Sequence, residues 1–200
     1  MPNVQTSNAY VQTDNYFGYA NNPVGSITGS PYPIQVINGR CAANQTIPFG
    51  ILVKIATRGG ALGEHNGTSL TTFTNLVAAD TNTTRLFITL RATDIPARLS
   101  ENRSENNEYQ YNAGDLMAVV PLENLKGTIT VQGDSTAAVA NATTVLRFRV
   151  AQTSGAGIVG SFTPSAAAAN QVIAFATSVP NFFIENTTPA TGGALTLTFV

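Results

Sequence analysis

Apolar and polar residues alternate with period two at three places along this chain. In the stretch Tyr109–Asp134, the turn pair Gly114-Asp115 opens an apolar run, Leu116-Met117-Ala118-Val119-Val120, which stops at Pro121. A second turn near Lys126-Gly127 launches Thr128-Ile129-Thr130-Val131, ended by Gly133-Asp134. Period two puts Ile129 and Val131 on one face and the threonines on the other. Two strands rich in β-branched residues and joined by a short polar connection predict an antiparallel pair. Val145–Val150 alternates as well, with Leu146, Phe148 and Val150 expected to face in and Arg147 and Arg149 out. Leu195–Val200 alternates to the last residue, which ties the C-terminus into a sheet.

Between these lie short apolar runs closed by turn residues: Ile51–Ile55, Leu86–Leu90, Ile158–Phe162, Gln171–Thr177 and Phe182–Glu185. Residues 60–84 are expected to be loop-rich, and Arg98–Glu108, the most charged piece, an exposed loop. Ser165–Ala169 allows one helical turn, but nothing amphipathic follows it. Many short strands separated by Gly and Pro, with no helical period and no internal repeat, predict an all-β fold: a β-barrel or a β-sandwich.

Residues 1–40 have a different texture. Asn, Gln, Ser, Gly and Pro dominate, with Tyr10, Tyr16, Phe17, Tyr19 and Tyr32 spaced among them. A segment so poor in aliphatic residues cannot build a core of its own. Its tyrosines suit a wet interface, because the ring is apolar and the hydroxyl is not. The expectation is an extended N-terminal arm over 1–40, ordered against its own body or a neighbour, and a β-barrel or sandwich body over 41–200. The break falls near residues 38–46.

Composition narrows the function. Charged residues make up 10% of the chain, against roughly 25% in ordinary domains, and the net charge is −1. Such a surface neither steers polyanions nor repels its own copies, so nucleic acid is not an expected partner and self-association is. Cys41 is the single cysteine, expected as a small buried apolar residue with no intrachain disulfide. The N-terminus MPNVQTSNAY has neither a basic nor an apolar signal-peptide region, and no apolar run approaches membrane-spanning length. Synthesis in the cytoplasm and no membrane partner are expected. The Asn-X-Ser/Thr triplets that begin at Asn44, Asn66, Asn82, Asn102, Asn141 and Asn186 follow from the Asn- and Thr-rich composition.

No chemistry-bearing constellation stands out. One histidine, His65, and one cysteine far from it give no metal-ligand set. Glu64-His65 invites a general-base reading and Asp134-Ser135 a triad, but His65 sits between glycines in a polar loop with no nucleophile motif. Glu101, Glu105 and Glu108 lie beside Arg98 and Arg103, where mutual ion pairing is the simpler account. Gly155-Ala156-Gly157-Ile158-Val159-Gly160 spells GxGxxG without a following helix, so it carries no dinucleotide site. No cofactor, metal or enzymatic activity is implied. Arg147 and Arg149 are candidates for a salt bridge to a partner, with a solvated or edge-protecting face as the alternative.

The order of motifs says more than any one of them. Pro33-Ile34-Gln35-Val36 is followed by Ile47-Pro48-Phe49-Gly50-Ile51-Leu52-Val53, then Leu86–Arg91, then Tyr111-Asn112-Ala113-Gly114-Asp115-Leu116-Met117-Ala118-Val119. Gly127–Val131 and Gly193–Leu197 close the series. This order resembles the structural cement, or head decoration, proteins of tailed bacteriophages, over most of residues 30–200. The sequence departs from that pattern at residues 138–144, where a second Gly-Asp turn is usual, and in longer Asn-rich loops at 62–84 and 98–110.

The resemblance implies a β-barrel body on the outside of an icosahedral head, clamping neighbouring major capsid subunits as a homotrimer or dimer of sister copies. The implied partner contacts are Tyr10, Tyr16, Phe17, Tyr19 and Tyr32 of the arm, with Arg147 and Arg149 of the body. Ordering an arm costs roughly 1–2 kcal/mol per residue, which aromatic burial at roughly 1.5–3 kcal/mol per ring offsets only in part. Strand addition to a neighbour's sheet edge supplies a further contribution. A tail or fibre component or a carbohydrate-binding module is the alternative, marked by aromatics grouped on an exposed face of the body. A hydrolase would need His65 in a cleft with a carboxylate or hydroxyl in reach.

Overall fold

The structure, a computed structural model, describes residues 24–30, 33–59, 70–80, 85–91, 110–123, 125–134, 147–150, 157–163, 172–174, 182–185 and 193–200. Among them every regular element is a strand. In chain order these are β1 (Ile27–Gly29), β2 (Ile37–Cys41), β3 (Ile47–Pro48), β4 (Leu52–Thr57), β5 (Thr72–Asn75), β6 (Phe87–Thr89) and β7 (Gln110–Tyr111). Then follow β8 (Leu116–Pro121), β9 (Gly127–Gly133), β10 (Arg147–Arg149), β11 (Phe162–Thr163), β12 (Val172–Ala174), β13 (Phe182–Ile184) and β14 (Gly193–Phe199). The protein is all-β, as its alternation predicts.

Strands β2, β5, β4, β6 and β8 close into a barrel. A seven-stranded sheet runs in the order β12-β10-β11-β9-β14-β13, with β1 also on β9, and β3 and β7 form a small ribbon. The barrel strands bury both faces. Val53, Phe73, Phe87, Met117 and Val119 point into one cluster with Ile47, Phe49 and Tyr111. Their neighbours Leu52, Ile88 and Val120 point the other way, against Ile129, Val131, Leu195, Leu197 and Phe199 of the large sheet. That is why Ile51–Ile55 and Leu86–Leu90 are continuous apolar runs, whereas β9 and β14, apolar on one face, alternate.

On the other face of the β9–β14 pair, Thr128 lies opposite Thr198 and Thr130 opposite Thr196. Their hydroxyl oxygens are 2.9 Å and 3.4 Å apart. Such cross-strand hydroxyl pairs add to the ladder beneath them.

One expectation is corrected. Strands β8 and β9 do not pair: β8 lies between β2 and β6 in the barrel, while β9 pairs with β1, β11 and β14 in the large sheet. The connection between them contains Leu122 and Leu125, both buried in the core shared by the two sheets. It is a crossover with its own apolar anchors, and the polar residues around them concealed that in the sequence.

Of the segment expected as an arm over 1–40, only part is described. Residues 24–30 and 33–40 belong to the body, β1 in the large sheet and β2 in the barrel. Residues 1–23 and 31–32 lie outside the described residues.

Candidate functional site

The motif residues Ile47–Gly50 and Tyr111–Asp115 meet beside the barrel, where β3 pairs with β7. Asn112-Ala113-Gly114-Asp115 is a tight turn in which Gly114 has φ +80°. Asp115 Oδ2 accepts from the Asn112 N–H at 2.9 Å, and the Asp115 N–H donates to the Asn112 carbonyl at 2.9 Å. A short acceptor side chain that folds back on its own turn is what this position requires. The turn is stitched to β2, with Gly114 N–H donating to Cys41 O at 3.0 Å and Cys41 N–H to Asp115 O at 2.9 Å.

Tyr111 stands beside this turn, fully buried. Its hydroxyl donates to Leu90 O at 2.7 Å and accepts from the Ala118 N–H at 3.3 Å. Its ring meets Phe49 edge-on, with centroids 5.0 Å apart. Burial, reinforced by the negative charge of Asp115 and opposed by the Ala118 hydrogen bond, pushes the phenol up to about 12.

Ile47-Pro48-Phe49-Gly50 leads from the β3–β7 ribbon into β4 of the barrel and touches β9 on the way. Ile47 and Pro48 pair with Tyr111 and Gln110. Thr89, buried on β6, donates its hydroxyl to Pro48 O at 2.8 Å and accepts from the Ile51 N–H at 3.1 Å. Gly50 N–H donates to Thr89 O at 2.9 Å, and Gly50 O accepts from the Gln132 N–H at 2.8 Å, linking β6 to β9. Gly50 has φ +68°, and a Cβ there would collide with Val24 Cγ1. Gly25 bridges the same seam: its N–H donates to Thr130 O at 2.7 Å and its carbonyl accepts from the Arg91 N–H at 2.9 Å.

Cys41 is free and buried. Burial first, then the charge of Asp115, pushes its thiol up to about 11. A protonated, enclosed thiol is a poor nucleophile and a poor metal ligand. No group of three or more His, Cys, Asp or Glu that could hold a metal ion occurs among the described residues. Nor is any helix among them long and apolar enough to cross a membrane.

Arg149 departs from its expected place. It is 2% exposed, and its Nη2 lies 2.6 Å from Asp134 Oδ2, with Nε at 3.1 Å from the same oxygen. Alternation failed here because β10 is buried on both faces, Phe148 in the shared core and Arg149 against Asp134. The outward-facing role expected for Arg149 is therefore corrected, while Arg147 is half-buried in β10 between β11 and β12. The ion pair also removes Asp134 from any triad.

Gly157 of the GxGxxG spelling lies against the same ion pair, and Gly160 lies against Leu52 of β4. Both have positive φ, and a Cβ on Gly157 would lie 2.5 Å from Arg149 Nε. Sequence reasoning missed Asp134 as Arg149's partner. The available signal was an aspartate directly after β9 and a glycine eight residues beyond the arginine.

The remaining candidates, Tyr10, Tyr16, Phe17, Tyr19, Tyr32 and His65, lie outside the described residues. The surface that is described exposes Val36 and Leu116 on the barrel and Phe183 and Val200 on the large sheet. Arg40, also exposed, donates through Nη1 to Gly114 O at 3.0 Å and pairs across the ladder with Leu116. Comparison with protein-family models gives no match, and no curated protein matches the sequence.

Proposed function

We propose that this chain is a structural virion protein: a capsid cement, or decoration, protein that binds the outside of an icosahedral phage head and clamps neighbouring major capsid subunits. In this reading it transforms no substrate and needs no cofactor. Its partners are the major capsid protein and sister copies, as a homotrimer or a dimer.

One observation carries the reading. The residues in which the resemblance lies hold the fold in place: Tyr111–Asp115 is tied to Cys41, Leu90 and Ala118 around the barrel and to Ile47-Pro48 in the ribbon, and Gly50 bonds to Gln132 of β9 in the large sheet. A motif order preserved for folding reasons is what a shared architecture with the cement proteins requires. Among the described aromatics, Phe183 alone is strongly exposed, so that surface offers no aromatic platform for a sugar ring, which favours the cement reading over the carbohydrate-binding one.

The test adds purified chain to phage heads that lack it. Stoichiometric attachment with raised thermal resistance is the expected result, and failure of both would end the proposal. The arm is tested by deleting residues 1–23. That cut stops short of Gly25, which bonds to Thr130 and Arg91 across the seam, and of β1, which pairs with β9, so a folded body that no longer attaches assigns the contact to the arm. Full occupancy by the shortened chain would show that the arm is dispensable.

A further inference from the structure

Among the described residues, Arg149 and Asp134 form an ion pair with both side chains fully enclosed, at 2% and 0% exposure. The Lys54–Asp80 pair, by contrast, remains partly open to solvent. A buried pair contributes little net stability over an apolar pair of the same size, but neutralising one partner is strongly destabilising because the other charge is left uncompensated. This pair sits where few ladder bonds join the described strands, beside Phe148, Val150 and Phe162 in the shared core. Strands β10, β11 and β12 form a limb of the large sheet whose ladder contact with β9, among the described residues, is one bridge, Phe162 opposite Gly133. The Asp134 N–H completes it, donating to Phe162 O at 2.8 Å. A second tie runs from Leu52 N–H to Gly160 O at 2.9 Å. The β9–β14 ladder, by comparison, pairs seven residues of each strand.

The guanidinium is enclosed by the turn that follows it. Gly157, at φ +88°, lies against Arg149 Nε, Cδ and Cζ. The Arg149 N–H donates to Ser161 O at 3.0 Å, and Gly160 N–H donates back to Arg149 O at 2.7 Å. The guanidinium cannot reach water without displacing this turn. Among the described residues, β1, β9, β11, β12, β13, β14 and the 157–163 turn carry no other titratable side chain. Strand β10 adds only Arg147, and β4 adds Lys54, which is engaged with Asp80 at 2.6 Å. Asp134 is thus the one carboxylate facing Arg149 from these elements.

The geometry points to an acid-released clasp: the Arg149–Asp134 pair holds the β10–β12 limb on the body while Asp134 is ionised, and frees it when Asp134 takes up a proton. The contribution is present at neutral pH and is lost as pH falls, since proton uptake removes the counter-charge from an enclosed arginine.

Hydrogen exchange of the whole chain, corrected for intrinsic exchange rates and followed from about pH 7 to about pH 3, tests it. In the wild type, amides of residues 147–149, 162–163 and 172–174 should lose up to about tenfold protection relative to β4 and β8 as pH falls to about 3, the bound that one carboxylate with an ordinary pKa of about 3.9 sets. Asp134→Asn should show that loss already at neutral pH. The double variant Asp134→Leu/Arg149→Met, which replaces the charges with apolar groups of similar size, should keep the limb protected throughout. If Asp134→Asn does not fold, the wild-type series and the double variant still decide. Limb and barrel protection falling in step, or an unchanged acid response in the double variant, would overturn the clasp.

Discussion

Tyr111 fills a space that phenylalanine would also fill, and its hydroxyl makes the difference. That hydroxyl serves Leu90 O and the Ala118 N–H at once, so Tyr111→Phe strips two buried backbone groups of a partner. A loss of about 1–3 kcal/mol is expected, read as a lower urea midpoint at unchanged slope. Tyr111 and Cys41 also set the response to alkali. Their ordinary values of 10.0 and 9.0 rise in the folded protein to about 12 and about 11. Both groups therefore hold their protons more tightly folded than unfolded. Their stabilising contribution is complete below the ordinary values and is lost as pH rises through the raised ones. The urea midpoint should fall between pH 9 and 12, and Cys41→Ala should flatten the lower part of that fall. The importance of Tyr111 was legible as a motif position, but its double hydrogen bond was not, since Leu90 is distant in the chain. Arg149 was misread for a related reason: alternation reports the two faces of a strand and cannot reveal a buried counter-charge on the outer one.

At the scale of elements, the sequence located most strands but not their partners. The β4, β6, β8, β9 and β14 segments were legible because their apolar runs and alternation are local properties. Strand β5 was hidden in a stretch expected to be loop-rich, because Thr72-Phe73-Thr74-Asn75 offers a single apolar residue. Phe73 nevertheless reaches the barrel interior, its ring 5.3 Å from that of Phe87. The β8–β9 connection gives the sharpest test of pairing. A hairpin loop tolerates truncation of its side chains, whereas a buried crossover anchor does not. Leu125→Ala should therefore destabilise the protein by about 2–5 kcal/mol in chemical denaturation, and a neutral result would contradict the crossover packing.

For the whole molecule, the two apolar clusters share their walls. Leu52 and Val53 are consecutive residues of β4, one in the core between barrel and sheet and the other inside the barrel. A strand that serves two cores cannot leave one without disturbing the other. Leu52→Ala and Val53→Ala should each shift a single unfolding transition, with far-ultraviolet circular dichroism and tyrosine emission coincident. Separate transitions would show that barrel and sheet unfold independently. The same shared wall explains why architecture was legible only as barrel or sandwich. Continuous apolar runs announce burial on both sides, but not which sheet provides each side.

The seam at Gly25 has a mechanical consequence. This residue is bonded on one side to Thr130 and on the other to Arg91, and β1 follows immediately along β9. Tension entering the chain ahead of Val24 therefore arrives first at the weld between the two sheets. Pulled along the β1 axis, these bonds share the load; pulled sideways, they peel one after another. An anchor placed on residues 1–23 would make the molecule strong or brittle according to its direction.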